Sequence, residues 1–317
     1  MISYKFYDGD LSEIKIIWED IFKDPECFTG FYFSELCNDN KILVAIEQEK
    51  IIGMVHLNPY TVIYNGIEEN VYYIVGVCVK EEYRFKGIMK EMMHRAMDYM
   101  RILGMKFTFL MPKDEAYYRG LGFENIYTNL DIKYIRLEKN DVSSRIRTND
   151  ISEYSDEELS VLSDSINKLL AGKYLFYSKR DNKYLKNLIN EHKCQHGSVM
   201  EVFYENNFIG YFSYDIYADE DERFNNMFVE RFVINREYII DVLNAIKEIG
   251  IKKKCRTISV TVPYFATEDD LIWKNDLIDF EAGNIKLYKG KGIMAYSFEG
   301  QKNLDLMKNN SFFDEIV

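Results

Sequence analysis

The sequence predicts two similar α/β (α+β) units in tandem, each a mixed, twisted sheet flanked by helices. Three observations carry this. The 317 residues exceed what a single hydrophobic core usually serves. The order hairpin, strand, helix, strand, proline occurs twice along the chain. The two runs also agree in their punctuation. Gln48-Glu49-Lys50 and Glu205-Asn206-Asn207 supply the turns, Gly53 and Gly210 follow them, and Pro112 and Pro263 stop the last strands.

In the first half, Asp8-Gly9-Asp10 opens a helix over 11–22. Strands are expected at 42–47 and 51–58, then, after the turn Asn65-Gly66, at 70–79. Ile88, Met92, Ala96, Tyr99 and Leu103 stand at helical spacing, with Gly104 placed for a left-handed C-cap. A buried strand at 106–111 follows. The second half repeats the order with strands at 198–204, from 208 and at 227–234, a helix over 238–249 closed by Gly250, and a strand at 256–262. Arg145, Arg147, Asn149 and Asp150 crowd a polar stretch that reads as a linker. The expected division is 1–142, a linker 143–158, a second unit 159–300 and a tail 301–317.

The net charge of −12 repels nucleic acid and anionic lipid and attracts cations, so an acceptor cleft between the units is expected to be acidic. No apolar run is long enough to span a membrane, and the start lacks a secretory signal. Five scattered cysteines without CxxC spacing read as reduced thiols of a cytoplasmic protein, and no metal site is expected. Assembly of identical copies is left open.

The halves differ between the third strand and the helix. The first carries Lys80-Glu81-Glu82-Tyr83-Arg84-Phe85-Lys86-Gly87-Ile88-Met89-Lys90, whereas the second has only Asn235-Arg236-Glu237. A basic, glycine-containing loop that opens a helix can cradle a pyrophosphate. The first helical turn offers unpaired N–H groups and the positive end of its dipole, and Gly87 removes the Cβ that would block approach.

The run from Val77 to Met89 resembles motif A of the GNAT acetyltransferases, R/Q-x-x-G-x-G/A, departing from it at Met89. Ala116-Tyr117-Tyr118-Arg119-Gly120-Leu121-Gly122-Phe123 resembles the family's Y-x-x-x-G-F/Y segment. Phe109 to Pro112, the bulky Met89 and the missing second loop suit the tandem GNAT enzymes related to the enhanced intracellular survival (Eis) aminoglycoside acetyltransferase. Such relatives carry a third, sterol-carrier-like domain, which this chain is expected to lack.

The resemblance implies acetyl-CoA as co-substrate and direct transfer to an amine, with a small cationic amine as acceptor. Val77, Cys78 and Val79 would line the pantetheine arm. Arg84, Phe85, Lys86, Gly87, Ile88, Met89 and Lys90 would hold the pyrophosphate, with Lys113 and Asp114 touching the cofactor again. Tyr118 would be the general acid, and the terminal carboxylate of Val317 a family-style base. Glu68, Glu69 and His56 stand near the acceptor side, where surface or satisfied strand positions explain them equally. His94 reads as structural and Cys78 as core. Phe22, Phe28, Phe31, Tyr32 and Phe33 wall an acceptor pocket or form ordinary core. Two alternatives stay open: a protein or peptide N-acetyltransferase, and a non-catalytic acyl-CoA-binding protein.

Overall fold

The computed structural model describes residues 1–134, 145–218, 224–263, 285–308 and 310–312. Asp10 caps α1 (Leu11–Phe22) by accepting from the Ser12 N–H, as its sequence placement requires. α2 (Glu26–Phe31) runs on into a single π-turn, Tyr32–Leu36. β1 (Ser3–Phe6), β2 (Lys41–Glu47), β3 (Lys50–Tyr64) and β4 (Ile67–Val79) pair antiparallel in that order. α3 (Ile88–Ile102) then crosses to β5 (Phe107–Leu110), which lies parallel to β4. α4 (Ala116–Arg119) and β6 (Glu124–Tyr134) complete the first run.

The second run gives β7 (Ile146–Asp150), α5 (Asp156–Ala171), β8 (Phe176–Ser178), α6 (Asn182–Cys194), β9 (Ser198–Tyr204) and β10 (Asn207–Ala218). β11 (Asn225–Ile234), α7 (Ile239–Lys252) and β12 (Cys255–Pro263) repeat the crossover, again with parallel strands. β13 (Ile285–Ser297), α8 (Gln301–Met307) and β14 (Ser311–Phe312) follow.

The two units share one sheet by exchanging strands. β13 lies between β5 and β6, and β6 pairs on its other edge with β12. One core cluster therefore spans both halves, from Trp18, Tyr73 and Phe109 to Leu185, Tyr211 and Phe312. Two others lie beneath α3 and α7.

Several local expectations are corrected. The polar stretch at 145–150 holds β7, an edge strand on β9 whose side chains face water along much of its length. Gly250 lies inside α7 and is buried; the helix continues to Lys252 because Val242, Leu243 and Ile246 bury its apolar face. Along α3 the buried face is Ile88, Met92, Met93, Ala96, Met97 and Met100, whereas Leu103 and His94 are exposed. His94 is therefore not a core histidine. The tail is ordered through α8, whose Leu304 and Met307 are buried, and through β14 on β8.

The cysteines are not all free thiols. Cys27, in the first turn of α2, and Cys194, at the end of α6, form a disulfide with Cα atoms 5.8 Å apart. A separation of 167 residues hides such a pair from spacing rules. Cys37, Cys78 and Cys255 are free and buried. A bridge closing so long a loop contributes typically about 2–4 kcal/mol. Reductant should accordingly lower the thermal midpoint of the wild type and leave that of Cys27→Ser unchanged. Equal sensitivity of both proteins to reductant would contradict the bridge.

Candidate active site

β4 and β5 pair only at Tyr73 with Phe109 and Ile74 with Leu110. β5 ends there, before Pro112, while β4 runs on to Val79. The two parallel strands therefore part and leave one edge of β4 unpaired beyond Ile74. The other edge carries a bulge. Its register on β3 slips between His56 opposite Val75 and Met54 opposite Cys78. Gly76 sits in the bulge with φ +61°, and a Cβ there would stand 2.5 Å from Trp18 and 3.2 Å from His56 Cδ2. No other residue fits. Val77 is half-buried and Cys78 and Val79 buried at the end of the strand. Burial pushes the Cys78 thiol up to about 12, which removes it as a nucleophile.

Beyond Val79 the chain makes a 3₁₀ turn, Glu81–Tyr83, and enters the loop. Phe85 adopts a left-handed conformation, φ +62°, with its side chain fully exposed. Gly87 is left-handed as well, φ +76°, and is the N-cap of α3 with no side chain capping the helix. A Cβ on Gly87 would meet nothing within 4 Å, so the mouth of the helix is open. An uncapped first turn beside a tight, left-handed loop is a ready anion cradle. The cations fold around it. Arg84 Nε donates to the Val79 carbonyl at 3.2 Å, Lys86 Nζ to the Glu82 carbonyl at 3.0 Å, and Lys90 is exposed. Ile88 is buried and Met89 packs against the α3 core cluster, so the bulk that departs from motif A is partly taken inward.

Tyr118, on α4, belongs to the same buried cluster as Val79, Ile88 and Phe123, its ring 6.0 Å from that of Phe123. Burial pushes its phenol up to about 12. Neighbouring Tyr117 is exposed. Lys113 and Asp114 are also exposed, and Asp114 Oδ1 accepts the Ala116 N–H at the start of α4.

On the opposite face of the sheet, Trp18 stacks on Tyr32 at 4.5 Å and stands edge-on to Phe33 at 5.8 Å. Phe28, Phe31, Tyr32 and Phe33 are buried and form core, whereas Phe22 is exposed. Beside it lies a cleft of about 460 Å³ lined by both halves. The lining holds four carboxylates against three cations, a slight acidic excess where the net charge led us to expect a strongly acidic wall. Glu35, Asp39, Asp181 and Glu191 face Lys179, Lys183 and Arg231, with Lys183 paired to Asp39 at 2.8 Å and Arg231 to Glu191 at 3.3 Å. Glu68 and Glu69 are bound to Lys179 and Lys106. Val317 lies outside the described residues.

A parted parallel pair, a bulged strand and an open, basic helix mouth are joined by sequence evidence. Residues 5–126 match the family model described as Acetyltransferase (GNAT) domain. Residues 5–126 are a GNAT acetyltransferase domain. The chain is a transferase enzyme built on it.

Solved structures extend the fold over the rest of the chain. The GCN5-related N-acetyltransferase of Anabaena variabilis aligns with a TM-score of 0.69 at 11% identity, over 92% of this chain and 72% of that one. Eis1 of Mycobacterium abscessus gives 0.58 at 13%, over 92% and 73%. A tandem GNAT protein from the clavulanic acid biosynthesis pathway gives 0.58 at 10%, over 94% and 98%. Such identities establish shared fold alone. No curated protein sequence matches the chain significantly.

The second half keeps the bulge of the GNAT domain and loses its mouth. The register of β10 on β11 slips between Ser213 opposite Glu230 and Tyr211 opposite Val233, which puts Arg231 where the first half has Gly76. Arg231 is left-handed, φ +47°, and buried. α7 follows a single 3₁₀ turn, with no long loop. Sequence reading missed Gly76, Trp18 and Arg231. A lone glycine inside an apolar strand is the signal that could have found the first.

Gly87→Glu places a carboxylate and a strained left-handed backbone at the open mouth. Acetyl-CoA affinity measured by calorimetry should fall by at least about tenfold, since the added carboxylate repels the pyrophosphate at the helix mouth. Unchanged affinity in a folded variant would remove the loop from the site.

Proposed function

We propose that the chain transfers the acetyl group of acetyl-CoA directly to an amine, and that only the first half binds the cofactor. The observation that carries this is the open, uncapped mouth of α3 at Gly87, next to the strand end that β5 leaves unpaired. Backbone N–H groups of the loop, with Arg84, Lys86 and Lys90, would hold the pyrophosphate. The edge of Val77, Cys78 and Val79 would hold the pantetheine arm, with Lys113 and Asp114 at its flank. The second half, from about residue 159, would serve as a scaffold that walls the acceptor cleft.

The amine nitrogen attacks the thioester carbonyl carbon; the C–N bond forms, the C–S bond breaks, the nitrogen gives up one proton and the thiolate takes one, so the transfer is neutral in protons. Tyr118 is assigned that donation. Its phenol is buried beside the loop and stays protonated throughout the neutral range because burial raises its pKa. A small cationic amine remains the acceptor we favour, taken by the carboxylates of the cleft. The balancing lysines support a second reading, a peptide or protein amine, since such an acceptor brings charges of both signs.

Tyr118→Phe removes one hydroxyl and keeps the ring. It should lower kcat by roughly 10²–10⁴-fold while acetyl-CoA affinity changes little, read by thiol release and calorimetry on one preparation. Turnover within about threefold of wild type would end the assignment. Loss of affinity at constant kcat would move Tyr118 to the pantetheine wall.

A further inference from the structure

We propose that the cleft between the halves recognises a cationic aminoacyl amide, an amine with a neutral carbonyl group beside it, and that Asn58 reads the carbonyl. That this ligand is the acetyl acceptor rests on the function proposed above; the recognition itself does not.

The cleft reaches β3 through a break in the sheet. β4 fills one edge of β3 from Gly53 to Tyr64. On the other edge β2 pairs as far as Lys41 opposite Leu57, and β8 begins at Ser178 opposite Val62. No strand covers Asn58, Pro59 and Tyr60 between them, and all three line the cleft. The Thr61 carbonyl accepts the Lys179 N–H across that edge at 3.0 Å. Carbonyls two residues apart face the same edge of an unslipped strand, so the Pro59 carbonyl faces the gap. Proline brings no N–H of its own. At its centre the bare edge therefore offers a ligand an acceptor and no donor.

Asn58 supplies the donor. It is 5% exposed and lines the cleft. The Tyr32 hydroxyl oxygen accepts from Asn40 Nδ2 at 3.0 Å and lies 2.9 Å from His56 Nδ1, and its proton goes to Asn58 Oδ1 at 3.3 Å. One proton and two lone pairs serve all three contacts only when the His56 ring carries its proton on Nδ1. The Asn58 amide is thereby fixed with its oxygen toward the core. Its Nδ2 meets no acceptor among the described residues and is not wholly buried, so it opens on the cleft. A donor held in so enclosed a wall is costly to leave unmade, which favours a ligand oxygen.

The charges set the sign of the ligand. Asp39 is paired with Lys183, Glu191 with Arg231, and Lys179 is held by Glu68. Glu35 and Asp181 are the carboxylates of the lining with no cation partner among the described residues. Asp181 Oδ1 accepts the Tyr184 N–H at 2.8 Å as the cap of α6, which leaves Oδ2. A polyamine satisfies these carboxylates and leaves Asn58 unmet. A free amino acid meets Asn58 but brings a third carboxylate to the wall. A diamine bearing a carboxamide satisfies every group.

Calorimetry on the full chain at about pH 6 tests this with lysinamide, lysine and cadaverine, the last being lysinamide with hydrogen in place of its carboxamide. Both amines of each are protonated there. Lysinamide should bind at least about fivefold tighter than either of the others. Asn58→Asp keeps an oxygen for Tyr32 and exchanges the donor for an acceptor. It should bring lysinamide to the cadaverine level without weakening cadaverine. ¹⁵N shifts of wild-type His56 should report a ring protonated at Nδ1. Cadaverine bound as tightly as lysinamide, no binding of either, or a ring protonated at Nε2, which would turn the Asn58 amide around, overturns the proposal without needing any variant to fold. A folded Asn58→Asp protein that keeps the preference overturns it as well. Thiol release from acetyl-CoA separates the two claims. Lysinamide that binds selectively and is not acetylated contradicts the acceptor reading and leaves the recognition standing, whereas acetylation of cadaverine in preference to lysinamide keeps the proposed function and removes the role of Asn58.

Discussion

The parting of β4 from β5 after Ile74 is the constraint on which the rest depends. Parallel strands joined by a crossover helix normally stay paired along their shared length. Here β5 stops at Leu110, and β4 continues with one edge free. An unpaired edge at this depth is costly unless something takes its hydrogen bonds. The bulge at Gly76 bends the strand at the same point, and α3 begins where the strand ends. Free backbone edge, bend and helix dipole thus converge on one region.

The shared core explains how this opening survives. β13 and β6 exchange between the units, and Trp18, Tyr73, Phe109, Tyr211 and Phe312 belong to one continuous cluster. Burial across that interface stabilises the first half while its own sheet stays split. The Cys27–Cys194 disulfide ties α2 to α6 on the same side. The second half, freed from holding a cofactor loop, places Arg231 in the bulge and pairs it with Glu191. Left-handed arginine is unfavourable by roughly 1–2 kcal/mol, so the retained bulge reads as a relic of common architecture that packing now supports.

Much of this was legible in the sequence because it depends on local chemistry. Turn residues, strand alternation and Asp10, Gly87 and Gly104 act through their own backbone, and the structure puts turns, cap and helix start where those residues require. Long-range pairing was not legible. The strand exchange, the disulfide and the charge of the cleft depend on which surfaces meet, and neither Cys27 nor Glu124 announces a partner far along the chain. His56 shows the intermediate case. Its residue type suggested chemistry, but only the geometry showed that it lies in the aromatic core, bonded through Nδ1 to Tyr32 and packed against Trp18 and Phe33. Val317 stays outside what the structure describes, so the base it would supply is not part of the account.

The central claim is that one half of a duplicated fold carries the cofactor site and the other has closed it. Hydrogen–deuterium exchange with and without acetyl-CoA tests this directly, because backbone N–H groups are the proposed ligands. Peptides covering residues 74–92 should gain protection, while those covering 229–243 should exchange as in the free protein. Protection over 229–243, or none over 74–92 at saturating acetyl-CoA, would contradict the account.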